Sequence, residues 1–373
     1  MRKSVVGVDA SRMIGFDRTG TETYTFQIVQ ALLSEAPELT FRLYFNAESP
    51  PAALPETAQL RPIPFPRLWT HLRLSAEMLA RTPDLLFVPA HVVPLLHPKS
   101  IVTIHDLGYL AHPESHPPRQ RVMLKATTRW SARVATHIVA PSEATAQDIR
   151  THLQVPEDRI TVIHHGVGSE FAPAPPSEVQ RVRQQYGLSR RYVLAVGTRQ
   201  PRKNYVRLAQ GVRTLLDQGQ DVDLVLAGKP GWLSDRLDKE VQTVGLDERL
   251  RLLDYVAAGD LPALYSGAAI AAMPSLYEGF GLPLLEAMAC GTPTVASNRA
   301  SLPEIAGGAS LLFDAMDSEE LSRALLAIME NPDLRDKLRR AGVERAARFT
   351  WSNAAVQTAS VFRRALAASA TST

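Results

Sequence analysis

The sequence predicts two α/β domains in tandem, each built on a doubly wound parallel sheet. Short apolar runs typical of buried strands alternate with amphipathic helical patterns along the chain, and this alternation favours parallel sheets with helices on both faces. A break with three prolines at residues 169–176 divides the alternation into two series. A chain of 373 residues is long enough for two cores. We therefore expect domains at residues 1–168 and 177–351.

The first series begins close to the N-terminus. The apolar patch at residues 5–8 is too short for the hydrophobic region of a signal peptide, so we interpret it as a first buried strand. Predicted strands are 4–8, 41–45, 85–88, 101–104, 137–140 and 160–163, and predicted helices are 21–35, 69–81, 119–135 and 142–153.

The second series follows the proline-rich segment, which we interpret as an interdomain linker. Ligands of open parallel sheets bind outside the carboxyl ends of the strands, so two such domains facing each other predict a site in the cleft between them. We also expect a C-terminal helix, 352–373, to pack back on the first domain. Predicted strands are 192–196, 224–227, 250–253, 270–273, 294–296 and 310–313, and predicted helices are 202–216, 261–266 and 318–329.

Composition excludes several classes of protein. A net charge of +3 does not by itself support nucleic-acid binding, although a pI near 9.0 permits weak attraction to acidic ligands or membranes. The single cysteine, Cys290, cannot form an intramolecular disulfide, and no apolar window reaches the length of a membrane span. We therefore expect a cytoplasmic protein, with peripheral membrane contact as an option.

The segment EGFGLPLLEAMACG, residues 278–291, is the most informative part of the chain. It follows a predicted strand and combines a glycine-rich turn with an apolar helical run, with Pro283 suited to the first helical turn. Amides at such a helix start form an anion site. Were both Glu278 and Glu286 helical, they would lie about 12 Å apart, comparable to a sugar, a diphosphate and a ribose together. The alternative is a surface helix with two solvated acids.

Three other groups of residues follow strands. Arg199, Arg202 and Lys203 cluster after the strand 192–196, where cations could neutralise a diphosphate; a solvated basic turn is the alternative. His105 and Asp106 come at the end of a buried strand; a lone histidine more often has a structural role, but a His-Asp pair at a strand end that faces the expected cleft is a better candidate for catalysis than most. Gly20 lies in the first strand-to-helix loop, together with Gly15, and could let the backbone approach a substrate, though a plain turn fits equally.

Two further patterns favour structural roles. Ser301 and Glu304 have the spacing of a helix capping box. The basic amphipathic stretch PPRQRVMLKATTRWSAR, residues 117–133, could touch a membrane, but we favour a surface helix that buries Met123, Leu124 and Trp130.

Motifs spread over nearly the whole chain carry a resemblance to one family. The chain resembles retaining nucleotide-sugar glycosyltransferases of the GT-B fold, in the large family four (the glycosyl transferases group one), and among them bacterial polysaccharide and O-antigen mannosyl- or glucosyltransferases. The matching segments are TIHDLGYLAHPE (103–114), APSEATAQDI (140–149), ITVIHHGV (160–167), AVGTRQPRKN (195–204), LPALYSGA (261–268), PSLYEGFGLPLLEAMACGTPTVASN (274–298), SLPEIAGGA (301–309) and RFTW (348–351).

The resemblance implies roles at the two ends of a donor. Glu278 would hold hydroxyls of the donor sugar and Glu286 the ribose, while His105 would lie beside the transferred sugar. The first loop departs from the family pattern, since relatives often read Gly-Ile-Gly-Arg-Tyr where this chain has RTGTETY at residues 18–24, which includes Gly20.

The resemblance also implies how the diphosphate is bound. Arg199 and Lys203 would bind it and stabilise it as it leaves, and amides around Gly281 and Leu282 would add to that field. No metal and no cofactor beyond the nucleotide-sugar substrate are implied. The motif at residues 221–223 has Asp-x-Asp spacing, but we interpret it as a turn before a buried strand.

The first donor to consider is GDP-mannose, and the implied acceptor is a glycan or a lipid-linked glycan, with no nucleic-acid partner. Two alternatives stay open. One is a phosphorylase or a nucleotide-sugar epimerase on the same fold. The other is a non-catalytic relative that binds nucleotide sugars, against which the joint presence of the two glutamates, Arg199 and Lys203 argues.

Overall fold

A computed structural model describes residues 3–14, 19–49, 54, 57–90 and 92–370. The chain divides into two compact units. Unit 1 consists of residues 1–107, 118–166 and 350–373, and unit 2 consists of residues 108–117 and 167–349. Each unit contains one parallel sheet, which confirms the predicted fold of two doubly wound domains.

The sheet of unit 1 has seven parallel strands in the order β3-β2-β1-β4-β5-β6-β7. The edge strand β3 was not predicted from the sequence, because its QLRP segment is only partly shielded and lacks an apolar run. The strands are β1 Val5–Asp9, β2 Thr40–Phe45, β3 Gln59–Pro62, β4 Leu85–Val88, β5 Ser100–Thr103, β6 His137–Ala140 and β7 Ile160–Val162.

The sheet of unit 2 has six parallel strands in the order β10-β9-β8-β11-β12-β13. Strand β8 pairs with β9 on one side and with β11 on the other, so the chain reverses its direction of travel across the sheet between β8 and β11. The strands are β8 Arg191–Val196, β9 Val222–Ala227, β10 Leu250–Leu253, β11 Ile270–Met273, β12 Thr294–Ser297 and β13 Leu311–Phe313.

The described residues form fourteen α-helices, together with a π-helical turn at Thr70–Leu74 that leads into α2. In the described part of the chain, none of these helices combines the length and apolar composition that crossing a bilayer requires. The helices are α1 Gly20–Glu35, α2 Ser75–Ala80, α3 Gly108–Ala111, α4 Pro118–Val134, α5 Glu143–Leu153, α6 Pro176–Gln185, α7 Tyr205–Asp217, α8 Ser234–Gln242, α9 Leu261–Ser266, α10 Leu282–Ala289, α11 Leu302–Ala306, α12 Ser318–Glu330, α13 Pro332–Ala346 and α14 Trp351–Ala370.

The proline-rich segment at residues 169–176 is not a free linker. Phe171 packs against the core of unit 2, and Pro176 begins α6. In this region the chain passes from unit 1 to unit 2 between residues 166 and 167. A Cβ on Gly166 would lie 2.2 Å from the amide nitrogen of Trp351. A side chain at this position would therefore clash with the backbone.

Helix α14 belongs to unit 1. The ring of Phe362 lies 5.1 Å from that of Phe87 on β4, and the hydroxyl of Ser352 donates to Glu35 at 2.7 Å. Helix α14 thus contributes to the core of unit 1.

Candidate functional site

The candidate site is built from the two loops that leave β8 and β11. These adjacent strands mark the reversal in the sheet, and loops beyond the carboxyl ends of strands at such a reversal form the ligand crevice of open α/β sheets. Residues 197–204 follow β8, and residues 274–281 follow β11. The basic cluster and the first glutamate of the sequence motif therefore meet at one edge of the sheet.

The carboxylate of Glu278 is held between two cations. Its Oε1 lies 2.7 Å from Nζ of Lys203, and its Oε2 lies 3.1 Å from the guanidinium of Arg202. Burial by itself would raise the pKa of Glu278, but Lys203 and Arg202, with hydrogen bonds from Lys203 and Ser275, hold that pKa at about 2. Glu278 is therefore an ionised acceptor over the whole physiological pH range.

Two glycines let Lys203 reach this position. Gly197 has φ +146°, and a Cβ there would lie 3.1 Å from Nζ of Lys203. Gly228, at the end of β9, has φ +151°, and a Cβ there would lie 2.1 Å from the carbonyl oxygen of Gly197. A side chain on Gly228 would therefore clash with the backbone of Gly197, and one on Gly197 would crowd the ammonium of Lys203.

Backbone hydrogen bonds join the two loops. The amide of Leu276 donates to the carbonyl of Arg202 at 2.8 Å. The side-chain amide of Asn204 donates to the carbonyls of Pro274 at 3.1 Å and Ala315 at 2.8 Å. Asn204 adopts a left-handed conformation with φ +58°, which ends the 3-10 turn Pro201–Lys203 and begins α7. The prediction of a helix from residue 202 was therefore early by three residues, because this turn points the cations at the site.

Ser301 holds the backbone on the other side of Glu278. Its hydroxyl lies 2.9 Å from the carbonyl oxygen of Glu278 and 2.7 Å from that of Phe280, and it donates to this pair. Ser301 does occupy the N-cap position of α11, but its side chain makes no cap hydrogen bond there. The predicted capping box with Glu304 was therefore wrong, and sequence spacing gave no sign of the role that Ser301 has.

Helix α10 begins at Leu282, with Gly281 at its N-cap. Gly281 has φ +107°, and a Cβ there would lie 2.9 Å from Leu302. Glu278 therefore lies in the loop before the helix, and only Glu286 is helical. The separation of about 12 Å, which assumed that both glutamates were helical, does not apply. The start of the helix does place the Gly281 and Leu282 backbone beside the Glu278 loop.

Glu286 lies one turn into α10 and accepts a hydrogen bond of 2.9 Å from the hydroxyl of Tyr265. Burial raises the pKa of Glu286 to about 7, and Glu170 adds to the rise, while Tyr265 and Lys203 act against it. Lys203 thus influences both glutamates. Near neutral pH, Glu286 exchanges between a carboxylate and a neutral acid, in contrast to Glu278.

Arg199 lies at the same edge of the sheet but has different partners. Its guanidinium pairs with Asp254 at 2.7 Å and with Asp238 at 3.1 Å, and it donates to the carbonyl of Gly228 at 2.8 Å. The structure therefore brings Arg202, rather than Arg199, together with Lys203 at Glu278. Because Asp254 is largely exposed, an anionic ligand could take its place on Arg199.

His105 lies in unit 1, beyond the end of β5. Its Nε2 is 2.7 Å from the carbonyl oxygen of Pro89, and since a carbonyl only accepts, Nε2 carries the proton. The ring of Tyr24 meets that of His105 edge-on, with centroids 4.7 Å apart. The ring of His165, which the sequence did not indicate, lies 5.6 Å from that of His105, measured between centroids. Burial lowers the pKa of His165 well below its usual value, and His105 and His164 lower it further. His105 is therefore oriented by a fixed backbone acceptor and by two neighbouring rings.

Gly20 is the first residue of α1, just after a capping box formed by Thr19 and Glu22. A Cβ on Gly20 would meet no atom within 4 Å, so no contact within the protein requires glycine there. Gly15 and the arginine that opens RTGTETY lie outside the described residues.

No cluster of three or more histidine, cysteine, aspartate or glutamate side chains in the described ranges could hold a metal ion. Asp223 lies inside β9 rather than in the predicted turn, and its side chain is buried beside Arg190. Asp221 is exposed and pairs with Arg249.

Two family profiles match most of the chain. Residues 18–171 match the family described as Glycosyltransferase Family 4, and residues 178–345 match Glycosyl transferases group 1. Among curated proteins, O-antigen chain mannosyltransferase B of Escherichia coli is 33% identical over 79% of this chain and 78% of its own length. The serotype-specific mannosyltransferase WbdA of Escherichia coli is 30% identical over 76% of this chain, which spans only 35% of WbdA.

Solved structures show the same fold at lower identity. Sucrose-phosphate synthase from Thermosynechococcus elongatus has a TM-score of 0.78 and 21% identity, covering 98% of this chain and 100% of that protein. HepE from Anabaena, in complex with UDP and glucose, has a TM-score of 0.76 and 19% identity, covering 97% of this chain and 100% of that protein.

Proposed function

This chain belongs to the glycosyl transferases group 1, and from that premise we propose that it moves a hexose from a nucleotide sugar to a glycan or lipid-linked acceptor, with retention of anomeric configuration. The observation that supports this most directly is the buried cluster of Glu278, Lys203 and Arg202. In this cluster the ionised carboxylate of Glu278 lies within hydrogen-bond distance of the ammonium of Lys203 and of the guanidinium of Arg202.

That juxtaposition suits the junction between a sugar and a phosphate. A carboxylate accepts strong hydrogen bonds from sugar hydroxyls, and an ammonium or guanidinium donates to phosphate oxygens. Glu278 would therefore bind the donor hexose, and Lys203 the adjoining diphosphate.

The leaving group gains negative charge as the glycosidic bond breaks. Lys203, the amides at the start of α10 around Gly281 and Leu282, and Arg199 after exchange of Asp254 would stabilise that charge. Lys203 and the amides of α10 need no exchange of partner residues for this role, whereas Arg199 must first release Asp254. We propose that they do this without a metal ion, and that the nucleotide sugar is consumed as a substrate with no separate cofactor.

Glu286 is assigned to the ribose of the nucleotide, and His105 to a contact with the transferred sugar. GDP-mannose is the first donor to test, since two similar curated proteins are named as mannosyltransferases. Retention and the family roles of these residues rest on the motifs of residues 195–204 and 274–298.

The proposal is tested by incubating the protein with GDP-mannose, GDP-glucose, UDP-glucose, ADP-glucose and dTDP-glucose, each with and without mannosylated acceptor glycans. We expect acceptor-dependent release of nucleoside diphosphate with one donor, and a product whose new linkage keeps the donor's anomeric configuration by NMR. Phosphate-dependent glycan breakdown would identify a phosphorylase instead, and an epimerised sugar would identify an epimerase. Binding of a donor without turnover of any donor would support the non-catalytic alternative.

A further inference from the structure

Helix α4 exposes two large apolar side chains, one of which, Met123, was predicted to be buried. Met123 is 56% exposed and Val122 is 66% exposed. Trp130 is the anchored residue, since its indole nitrogen donates to the carbonyl of Val93 at 3.1 Å. The expectation that Met123 packs inward was therefore wrong, and the outer face of α4 carries two adjacent large apolar side chains.

The charge of α4 has a single sign. The helix Pro118–Val134 contains no aspartate or glutamate, and its cations lie mostly on the exposed face with Val122 and Met123. A helix that only covers a core usually shows mixed charges to solvent. The cations of α4 are Arg119, Arg121, Lys125, Arg129 and Arg133.

Residues 93–96 connect α4 to α2, and the second half of this segment is exposed. The amide of Val93 donates to Ser131 on α4 at 3.0 Å, and the amide of Leu96 donates to Ser75 on α2 at 3.2 Å. Between these two anchors Leu95 and Leu96 are about half exposed. The short segment therefore carries exposed leucines directly from one helix to the other.

Helix α2 and the turn that leads into it add further apolar and basic groups. Leu68, Leu72 and Leu79 are each at least half exposed. The acid on this stretch, Glu77, is buried and paired with cations, so it offers no free negative charge to the surface. Its partners are Arg61, Arg73 and Arg81.

We propose that this surface of unit 1, formed by the outer face of α4, by Leu95 and Leu96, and by the exposed side chains of residues 68–80, docks on a bilayer that contains anionic lipids. We call it the basic apolar face. Cations would lie among the anionic headgroups, while Val122, Met123 and the exposed leucines enter the boundary of the acyl chains. A nucleic acid would use the cations but would leave the leucines in water, so the mixture favours a lipid surface. This inference is independent of the nucleotide-sugar site.

The test measures co-sedimentation of the full chain with vesicles. Binding is expected to vesicles of phosphatidylcholine mixed with phosphatidylglycerol, much less to phosphatidylcholine alone, and to decline with salt. The variant Arg119→Gln/Arg129→Gln should weaken binding by about fivefold for each charge removed, and Val122→Ser/Met123→Ser should also weaken it.

Matched controls come from exposed residues elsewhere. Arg236→Gln/Arg323→Gln removes two exposed cations, and Val343→Ser/Val356→Ser removes two exposed valines; both should bind vesicles as the unaltered chain does. All variants should keep their helical circular dichroism and their affinity for nucleoside diphosphate.

Three results would overturn the proposal: no binding to the anionic vesicles, equal weakening by the controls, or vesicle binding that Val122→Ser/Met123→Ser leaves unchanged. If Val122→Ser/Met123→Ser binds vesicles unchanged, and the protein also binds double-stranded DNA as well as it binds vesicles, then its cations attract polyanions in general. Loss of donor turnover with vesicle binding intact would count against the proposed function and not against this face.

Discussion

Nζ of Lys203 lies 2.7 Å from Oε1 of Glu278, and the two side chains are 7% and 8% exposed. Each of these two buried charges is therefore compensated by the other. Removing one partner of such a buried pair usually costs about 3–5 kcal/mol, because the remaining charge is left uncompensated. Variants at this pair consequently need a folding control before any loss of activity is interpreted.

Lys203→Ala is expected to weaken binding of nucleoside diphosphate by about 1.5–3 kcal/mol, the range for a hydrogen bond to a charged group. Titration calorimetry measures this, with thermal unfolding as the folding check. Lys337→Ala, on the exposed side of α13, is the matched control and should bind normally. Unchanged affinity in a folded Lys203→Ala protein would return the cluster to a structural role.

The two glutamates are expected to differ in what they affect. Glu278→Gln should slow transfer severely while free nucleoside diphosphate binds nearly as before, because the carboxylate is assigned to the sugar. Glu286→Gln should weaken the nucleotide itself, since an amide makes poorer hydrogen bonds to ribose hydroxyls than a carboxylate does. Equilibrium binding and single-turnover rates of both variants test this. Equal weakening of the nucleotide by both would contradict a two-ended grip.

Affinity for nucleoside diphosphate is expected to rise with pH through about 7, because burial raises the pKa of Glu286 to about 7 and only the ionised form is a strong acceptor. Below that pKa the neutral acid predominates, so binding weakens as pH falls. The diphosphate also titrates in this range. The variant Glu286→Gln lacks the carboxylate, so its pH dependence shows the contribution of the ligand alone. Calorimetry from about pH 6 to about pH 8 should show a steeper rise for the unaltered chain; parallel curves would contradict the assignment.

Ser301→Ala is expected to lower the transfer rate by more than its effect on folding explains. Loss of the hydroxyl removes the hydrogen bonds of 2.9 Å and 2.7 Å that hold the carbonyls of Glu278 and Phe280 in place, and a hydrogen bond of this kind usually contributes about 0.5–1.5 kcal/mol. Ser142→Ala provides the control, because Ser142 is also a buried serine, and it caps α5 in unit 1. If both variants lost similar stability and kept equal kcat, Ser301 would have no positioning role.

Activity is expected to survive EDTA, because Lys203 and the amides at the start of α10 are proposed to take the place of a metal at the phosphates. Initial rates with and without chelator, and after addition of magnesium or manganese, test this. Complete loss that either metal restores would show that the proposed set of cations is incomplete.

The order of elements could largely be read from the sequence. Apolar runs bounded by polar turns predicted twelve of the strands, since a strand buried on both faces needs a continuous apolar segment. Elements with few buried residues were missed. Helix α8, Ser234–Gln242, is strongly polar and buries only Ser234, Leu237 and Val241, so its pattern was too weak to predict a helix.

The sequence by itself determined the family, the two sheets and the placement of Lys203 and Glu278 after strand ends, because strand burial and glycine-rich turns are local properties. Only the tertiary structure decided which charges pair. Lys203 and Glu278 are 75 residues apart, and they meet because β8 and β11 are neighbours. Long-range packing also pairs Arg199 with Asp238 and Asp254. It brings the hydroxyl of Ser301 to the carbonyls of Glu278 and Phe280, so that this hydroxyl does not cap α11. Ion pairing and burial depend on which distant side chains the fold brings together. The spacing of residues along the chain does not specify these contacts.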